Sequence, residues 1–247
     1  MRRFGLTGYP LTHSWSKKFF DKKFKEEGFT DCRYELFPKP ALTGFREWIS
    51  TQPDLYGLNV TIPYKISIIK LLDEMDKDAI EIGAVNTIQI SRNSGELRLK
   101  GYNTDAEGFR KAFPHILNHR HALILGSGGG SLAIAKVLRD LGIYFKFVSR
   151  TPHTKNSISY KKLSISEILN ATLIINATPL GMFPDIETFP LIPYEQITPR
   201  HLLIDLVYNP EETLFLKKGK AQGAKTLNGL NMLHFQAEMS FTIFLSG

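Results

Sequence analysis

Cysteine is all but missing: Cys32 is the only one in 247 residues. A single thiol excludes an intramolecular disulfide and suits a reducing compartment. Long apolar runs are missing as well. The longest, MSFTIFLSG near the C-terminus, is too short and too interrupted to span a bilayer. The opening MRRFGLTGYPLTHS has no continuous apolar stretch, so no signal peptide is expected and the protein is expected to be cytoplasmic. Internal repeats, zinc-finger spacings and aromatic RNA-binding signatures are also absent. The net charge of +7 therefore comes without a nucleic-acid motif. Its densest cluster, KKFFDKKFK from Lys17 to Lys25, places Phe20 and Phe24 four residues apart among lysines. That is the pattern of a solvated helix face with one buried stripe. Neither nucleic acid nor membrane is an expected partner. The histidines of HILNHRH, His115, His119 and His121, lack a completing Cys or carboxylate, and no metal is expected.

What is present is the material of a large core, 43% hydrophobic against 22% charged residues. Short strands alternate with helices. Strands are expected at Phe4 to Gly8, Arg33 to Phe37 and Leu55 to Ile62, with a hairpin of Val85 to Ser91 and Leu97 to Gly101 around Asn93-Ser94-Gly95. Helical patterns fill Trp15 to Glu27, Leu42 to Ser50 and Ile66 to Asp73. A second series begins near Asn103: a helix over Ala106 to Leu117, then strands at Tyr144 to Ser149, Ala171 to Asn176 and Leu202 to Leu206, and a closing helix over Leu230 to Leu245. The expected fold class is α/β with two domains, residues 1–102 joined by the last helix, 230–247, and residues 103–229.

Between His121 and Gly142 an apolar strand, a glycine-rich turn and an amphipathic helix follow one another. The turn is Gly126-Ser127-Gly128-Gly129-Gly130, continued by Ser131. Glycines there let backbone N–H groups approach a pyrophosphate at the positive helix end, which points to a Rossmann-type dinucleotide site. An NAD site carries a carboxylate at the end of the next strand, for the ribose 2′-hydroxyl. Here Ser149, Arg150 and Thr151 occupy those positions. A guanidinium clamps a 2′-phosphate that a carboxylate would repel, so the expected cofactor is NADP(H), with Arg150 as its main determinant and Thr151 and Lys155 in support.

One strand poses a different question. In GLNVTIPYKISI, Asn59 and Thr61 alternate with Leu58, Val60 and Ile62, and Lys65 follows two residues beyond Pro63. Such a polar face is either a solvated edge or a site.

The motifs GYPLTHSWS, NVTIPYK, IGAVNT, YNTDAEGF, LGSGGGS, SRT, NATPLGM, DLVYNPEET and NGLNMLHFQAE stand in this order along nearly the whole chain. Together they resemble the shikimate dehydrogenase family, NADP-dependent oxidoreductases of chorismate and aromatic amino-acid biosynthesis. The resemblance implies that Lys65 and its partner Asp105 are catalytic, in the reversible reduction of 3-dehydroshikimate to shikimate. It implies that Ser14 and Ser16 hold the substrate carboxylate, although hydroxyls at those positions also cap helices. Thr61 and Asn86 match contacts to the ring hydroxyls, with Asn59 beside them; Gln236 and Tyr208 complete the substrate set. His13, beside Ser14, is expected to fix the loop. On the cofactor side it implies Asn176, Ala177 and Thr178 near the nicotinamide ribose, and Leu206, Gly229 and Met232 near the nicotinamide. The sequence departs from the family pattern at Lys17, where a proline is usual, and at Ala106, where a glycine is. A quinate or dual quinate/shikimate dehydrogenase and a non-catalytic metabolite sensor are the alternatives. The expected state is a monomer or homodimer.

Overall fold

A computed structural model describes residues 1–11, 14–93, 95–152 and 154–246. The chain divides into two compact units, Met1–Thr104 with Ala237–Gly247, and Asp105–Gln236.

The first unit is built in chain order from β1 (Arg2–Gly8), α1 (Trp15–Glu26), β2 (Cys32–Pro38), α2 (Phe45–Ser50), β3 (Leu55–Val60), β4 (Glu74–Met75), α3 (Lys77–Ile82), β5 (Thr87–Asn93) and β6 (Glu96–Tyr102). Its sheet runs β2-β1-β3-β5-β6-β4. β1 pairs in parallel with β2 and β3, while β5 runs antiparallel to β3 and β6. Strand β3 is therefore central, and Leu58 and Val60 are buried on it. Phe20 and Phe24 form the buried stripe of α1, packed with Phe4 and Tyr34. Phe241 and Phe244, from the closing helix, join this cluster. Each such ring contributes about 2–3 kcal/mol by leaving water. Gly57 makes room for it, because any Cβ there would collide with the Phe244 ring.

The second unit holds α4 (Asp105–Ala112), β7 (His121–Leu125), α5 (Gly129–Asp140), β8 (Tyr144–Ser149), β9 (Ser157–Ser159), α6 (Ile165–Asn170), β10 (Leu173–Asn176), β11 (Leu202–Asp205), α7 (Leu214–Ala221) and β12 (Lys225–Leu227), and the start of α8 (Leu230–Leu245). The sheet order is β12-β11-β10-β7-β8-β9, with every pairing parallel. Counted from β7, this is the doubly wound order 3-2-1-4-5-6, whose crevice opens at the carboxyl ends of β7 and β10.

Several boundaries differ from those expected. The segment Ile66 to Asp73 forms only a 3₁₀ stretch, Ser67–Leu71. The Asp73 carboxylate accepts from Leu99 N at 2.8 Å and pairs with Arg46, drawing the chain toward β4 instead of onward as helix. The helix expected over Ala106 to Leu117 ends at Ala112, because Pro114 cannot continue it, and a 3₁₀ turn follows. His13 and Ser94 lie outside the described residues. Among the described residues no helix is long and apolar enough to cross a membrane.

Candidate functional site

In the first unit the chain leaves β3 and is pinned at each step. Val60 N donates to Asn86 O at 2.8 Å and Thr61 N to Thr7 O at 2.9 Å. Tyr64 N closes a turn onto Thr61 O at 2.9 Å, and Val85 N donates to Lys65 O at 2.8 Å. The main chain of Lys65 is thus fixed beside Val85 and Asn86, with its side chain half-buried. Tyr9 N donates to Ile62 O at 3.0 Å, and Gly8 lies so close to the Thr61 methyl that no side chain fits there. The loop leading from β1 toward Ser14 therefore starts at the same place. Ser14 caps α1, its Oγ accepting from Lys17 N at 3.2 Å.

Asn59 and Asn86 are buried and engaged with the protein. Asn59 Oδ1 accepts from the Tyr34 hydroxyl at 2.8 Å, and its Nδ2 donates to Ser240 Oγ at 2.9 Å and Thr87 Oγ1 at 3.2 Å. Asn86 Oδ1 accepts from Thr104 N at 2.7 Å, while its Nδ2 donates to Thr104 Oγ1 at 2.8 Å. Asp105, buried at the head of α4, follows Thr104 directly. Gln236 lies four residues before Ser240 on α8, hence on the same helix face.

In the second unit several of the expected cofactor residues lie against one another. Gly126 has φ +110°, a conformation suited to glycine, and a Cβ there would lie 3.1 Å from Thr178 Cγ2 and 3.2 Å from Ala177 O. Gly130 faces Leu206, and Gly229 abuts the Leu206 carbonyl with no space for a side chain. Gly229→Ala accordingly costs about 2 kcal/mol of stability and raises the KM for the dinucleotide, read by thermal melting and steady-state kinetics. Gly108 on α4 faces Gln236 and the buried Met232 in the same way, at 3.0 Å from an added Cβ. Asn176, although fully buried, spends its amide on the protein: Oδ1 accepts from Thr178 Oγ1 at 2.6 Å, and Nδ2 donates to Asp205 Oδ1 at 2.9 Å. Tyr208 is half-buried just past β11.

Asp205 is a residue the sequence reading left without a role. It is fully buried, accepting from Thr213 Oγ1 at 2.6 Å and Val207 N at 3.0 Å as well as from Asn176. Burial pushes its carboxyl up to about 7, against the pull of those donors. A carboxyl raised on folding favours the folded state while protonated, and that advantage is lost as pH rises through 7. The stability of the protein relative to Asp205→Asn therefore falls by about 1 kcal/mol between pH 6 and pH 8. Urea unfolding of both proteins across that range measures it; a constant difference contradicts it.

These residues fit a dinucleotide phosphate. Gly128 starts α5 without a side-chain cap, so the first N–H groups of the helix face the turn. Ser131 turns its own hydroxyl away, donating to Gly128 O at 2.6 Å. At the end of β8 the Ser149 hydroxyl is buried and has no partner, and Arg150, Thr151 and Lys155 are exposed beyond it, with no carboxylate among them. Among the described residues no three His, Cys, Asp or Glu side chains gather to hold a metal, and His119 Nδ1 is 2.8 Å from Thr172 Oγ1.

The family model for the shikimate dehydrogenase substrate binding domain matches residues 6–88. A shikimate dehydrogenase (NADP(+)) of Methanococcus maripaludis is 38% identical over 261 residues, covering 97% of this chain and 90% of the relative. The chain belongs to the shikimate dehydrogenase family. A second relative, a shikimate dehydrogenase (NADP(+)) of Halothermothrix orenii, is also 38% identical and covers 97% of this chain and 89% of its own. Among solved structures, shikimate 5-dehydrogenase of Thermus thermophilus in complex with NADP(H) and shikimate superposes with a TM-score of 0.85 at 32% identity, over 100% of this chain and 94% of that one. The family's two halves correspond to two α/β sheets here, one mixed and one parallel and doubly wound.

Proposed function

We propose that this chain is an NADP-dependent shikimate dehydrogenase of the cytoplasm, interconverting 3-dehydroshikimate and shikimate on the route to chorismate and the aromatic amino acids. The observation that carries the reading is the loop after β3, where backbone bonds fix Lys65 beside Asn86 at the centre of a sheet. Bound NADPH would supply hydride to the 3-keto carbon. Lys65 would then donate a hydrogen bond to the oxygen that gains negative charge, and deliver the proton that completes the alcohol. Asp105 is the partner carboxylate in this reading, holding the reacting hydroxyl. Ser14, Ser16, Thr61, Asn86, Tyr208 and Gln236 bind the substrate. Asn59, buried among Tyr34, Thr87 and Ser240, acts by holding Asn86 and its neighbours in place. Gly126, Ser127, Gly128, Gly129, Gly130 and Ser131 would cradle the pyrophosphate, and Ser149, Arg150, Thr151 and Lys155 the 2′-phosphate. Asn176, Ala177, Thr178, Leu206, Gly229 and Met232 would wall the nicotinamide side. Residues 1–102 with the last helix would form the substrate domain and 103–229 the NADP domain.

The experiment is incubation of purified protein with 3-dehydroshikimate and NADPH, with chromatographic identification of the product. NADPH consumption matched by shikimate supports the reading. Binding without turnover would favour a metabolite sensor instead.

A further inference from the structure

Tyr64, the residue before Lys65, has no part in the mechanism above. Its ring is buried in one cluster with Phe45, Leu58 and Ile68. A phenol at that depth needs a partner for its hydroxyl. It has one across the sheet: the hydroxyl donates to the main-chain carbonyl of Lys39 at 2.5 Å. Lys39 stands just past β2 and is itself fixed twice. Its N–H donates to Gly8 O at 3.0 Å, and its ammonium lies 4.0 Å from the centre of the Trp48 ring on α2. In the sheet β1 lies between β2 and β3. The phenol therefore ties the loop after β3 to the end of β2, reaching past the strand between them.

We propose that Tyr64 is a positioning residue for Lys65, its phenol, tied to the end of β2, setting the backbone from which the Lys65 side chain projects. The inference rests on the shikimate dehydrogenase reading, which makes Lys65 the proton donor. Lys65 is held on one side by its own carbonyl, which accepts from Val85 N at 2.8 Å. Tyr64 supplies the hold on the other side. The phenol oxygen sits at the far end of a rigid ring, so fixing it restrains the Tyr64 side chain and, through it, the backbone dihedrals next to Lys65. Ile68 N donates to Tyr64 O at 2.9 Å, so the same residue also anchors the start of the 3₁₀ stretch Ser67–Leu71. A lysine side chain is long and flexible, and an error at its base is carried to the ammonium. Proton delivery to a developing oxyanion is sensitive to such small displacements. Substrate binding is less exposed to the change, because Thr61 N is held by Thr7 O at 2.9 Å whether or not the phenol is tied.

Tyr64→Phe removes the tie and keeps the ring in its cluster. The expected result is a fall of about three- to tenfold in kcat for shikimate oxidation, with the KM for shikimate and for NADP+ within about twofold of wild type. On a Lys65→Ala background the same change has no further effect on kcat, because Tyr64 acts through the lysine. An unchanged kcat in Tyr64→Phe, or an equal fractional loss on both backgrounds, would overturn the proposal. Amide hydrogen exchange keeps this apart from failure of the functional reading, which wild-type protein inert toward shikimate and NADP+ would reveal. The Val85 amide, bonded to Lys65 O, exchanges about three- to tenfold faster in Tyr64→Phe, whether or not shikimate is turned over. The Leu99 amide, bonded to the Asp73 carboxylate in the same unit, stays within about twofold. Equal protection of Val85 in both proteins, or equal loss at Val85 and Leu99, would refute a local hold on Lys65.

Discussion

Lys65→Ala lowers kcat for shikimate oxidation by roughly a thousandfold, within the range for removing a proton donor or one stabiliser of a developing oxyanion. The fold is expected to survive. The bond that fixes position 65 is made by its carbonyl to Val85 N at 2.8 Å, and alanine keeps it. The glycine turn and the β8 end belong to the other unit, so the Kd for NADP+ stays near the wild-type value. Isothermal titration with NADP+, beside steady-state kinetics, separates the two quantities. A solvated surface lysine, the bland reading of this residue, would leave both unchanged. If Lys65→Ala retained near-normal turnover, the residue would leave the mechanism and Asp105 would have to carry the proton unaided.

The second large effect is on cofactor choice. Arg150→Gln raises the KM for NADP+ roughly tenfold or more, by loss of charge-assisted bonds to the 2′-phosphate. The KM for NAD+, which has no such phosphate, changes by less than about twofold. Arg150 is exposed, so salt screens its attraction. Raising ionic strength should therefore weaken NADP+ binding more in the wild type than in Arg150→Gln. Equal losses for both dinucleotides would show that Arg150 acts through the loop conformation and not through the phosphate. The buried, unpartnered Ser149 hydroxyl at the end of the same strand offers a further donor there.

Much of the architecture was legible because periodicity reports burial directly. Leu58 and Val60 of β3 and the Phe20/Phe24 stripe of α1 turned inward as the pattern required, whereas Ile62, expected on the same apolar face, lies past the end of the strand and is exposed. Short elements escaped notice. Helix α3 has only six residues, but its signals were present: Asp76 caps Ala79 N at 2.8 Å and Gly83 ends the helix with φ +72°. Ile66 to Asp73 misled for the opposite reason, since a helical pattern was overridden by the pairing of Asp73 with Leu99 and Arg46. Within the site, motifs revealed residue types but not their partners. Asn59 and Ser240 stand 181 positions apart, and no local pattern links them. The alternation in β3 marked Asn59 as polar, but a buried polar residue and a solvated one look alike in a sequence. Asp205 was hidden in the same way, its carboxylate enclosed by Asn176, Val207 and Thr213 from three separate stretches of chain.

The most direct test of the account follows reduced-nicotinamide absorbance with shikimate or quinate, each against NADP+ and NAD+. The account predicts strong signal with shikimate and NADP+ and little with the other three pairings. Comparable rates with quinate or with NAD+ would contradict the substrate assignment or the role given to Arg150, and mark a broader dehydrogenase of the same family.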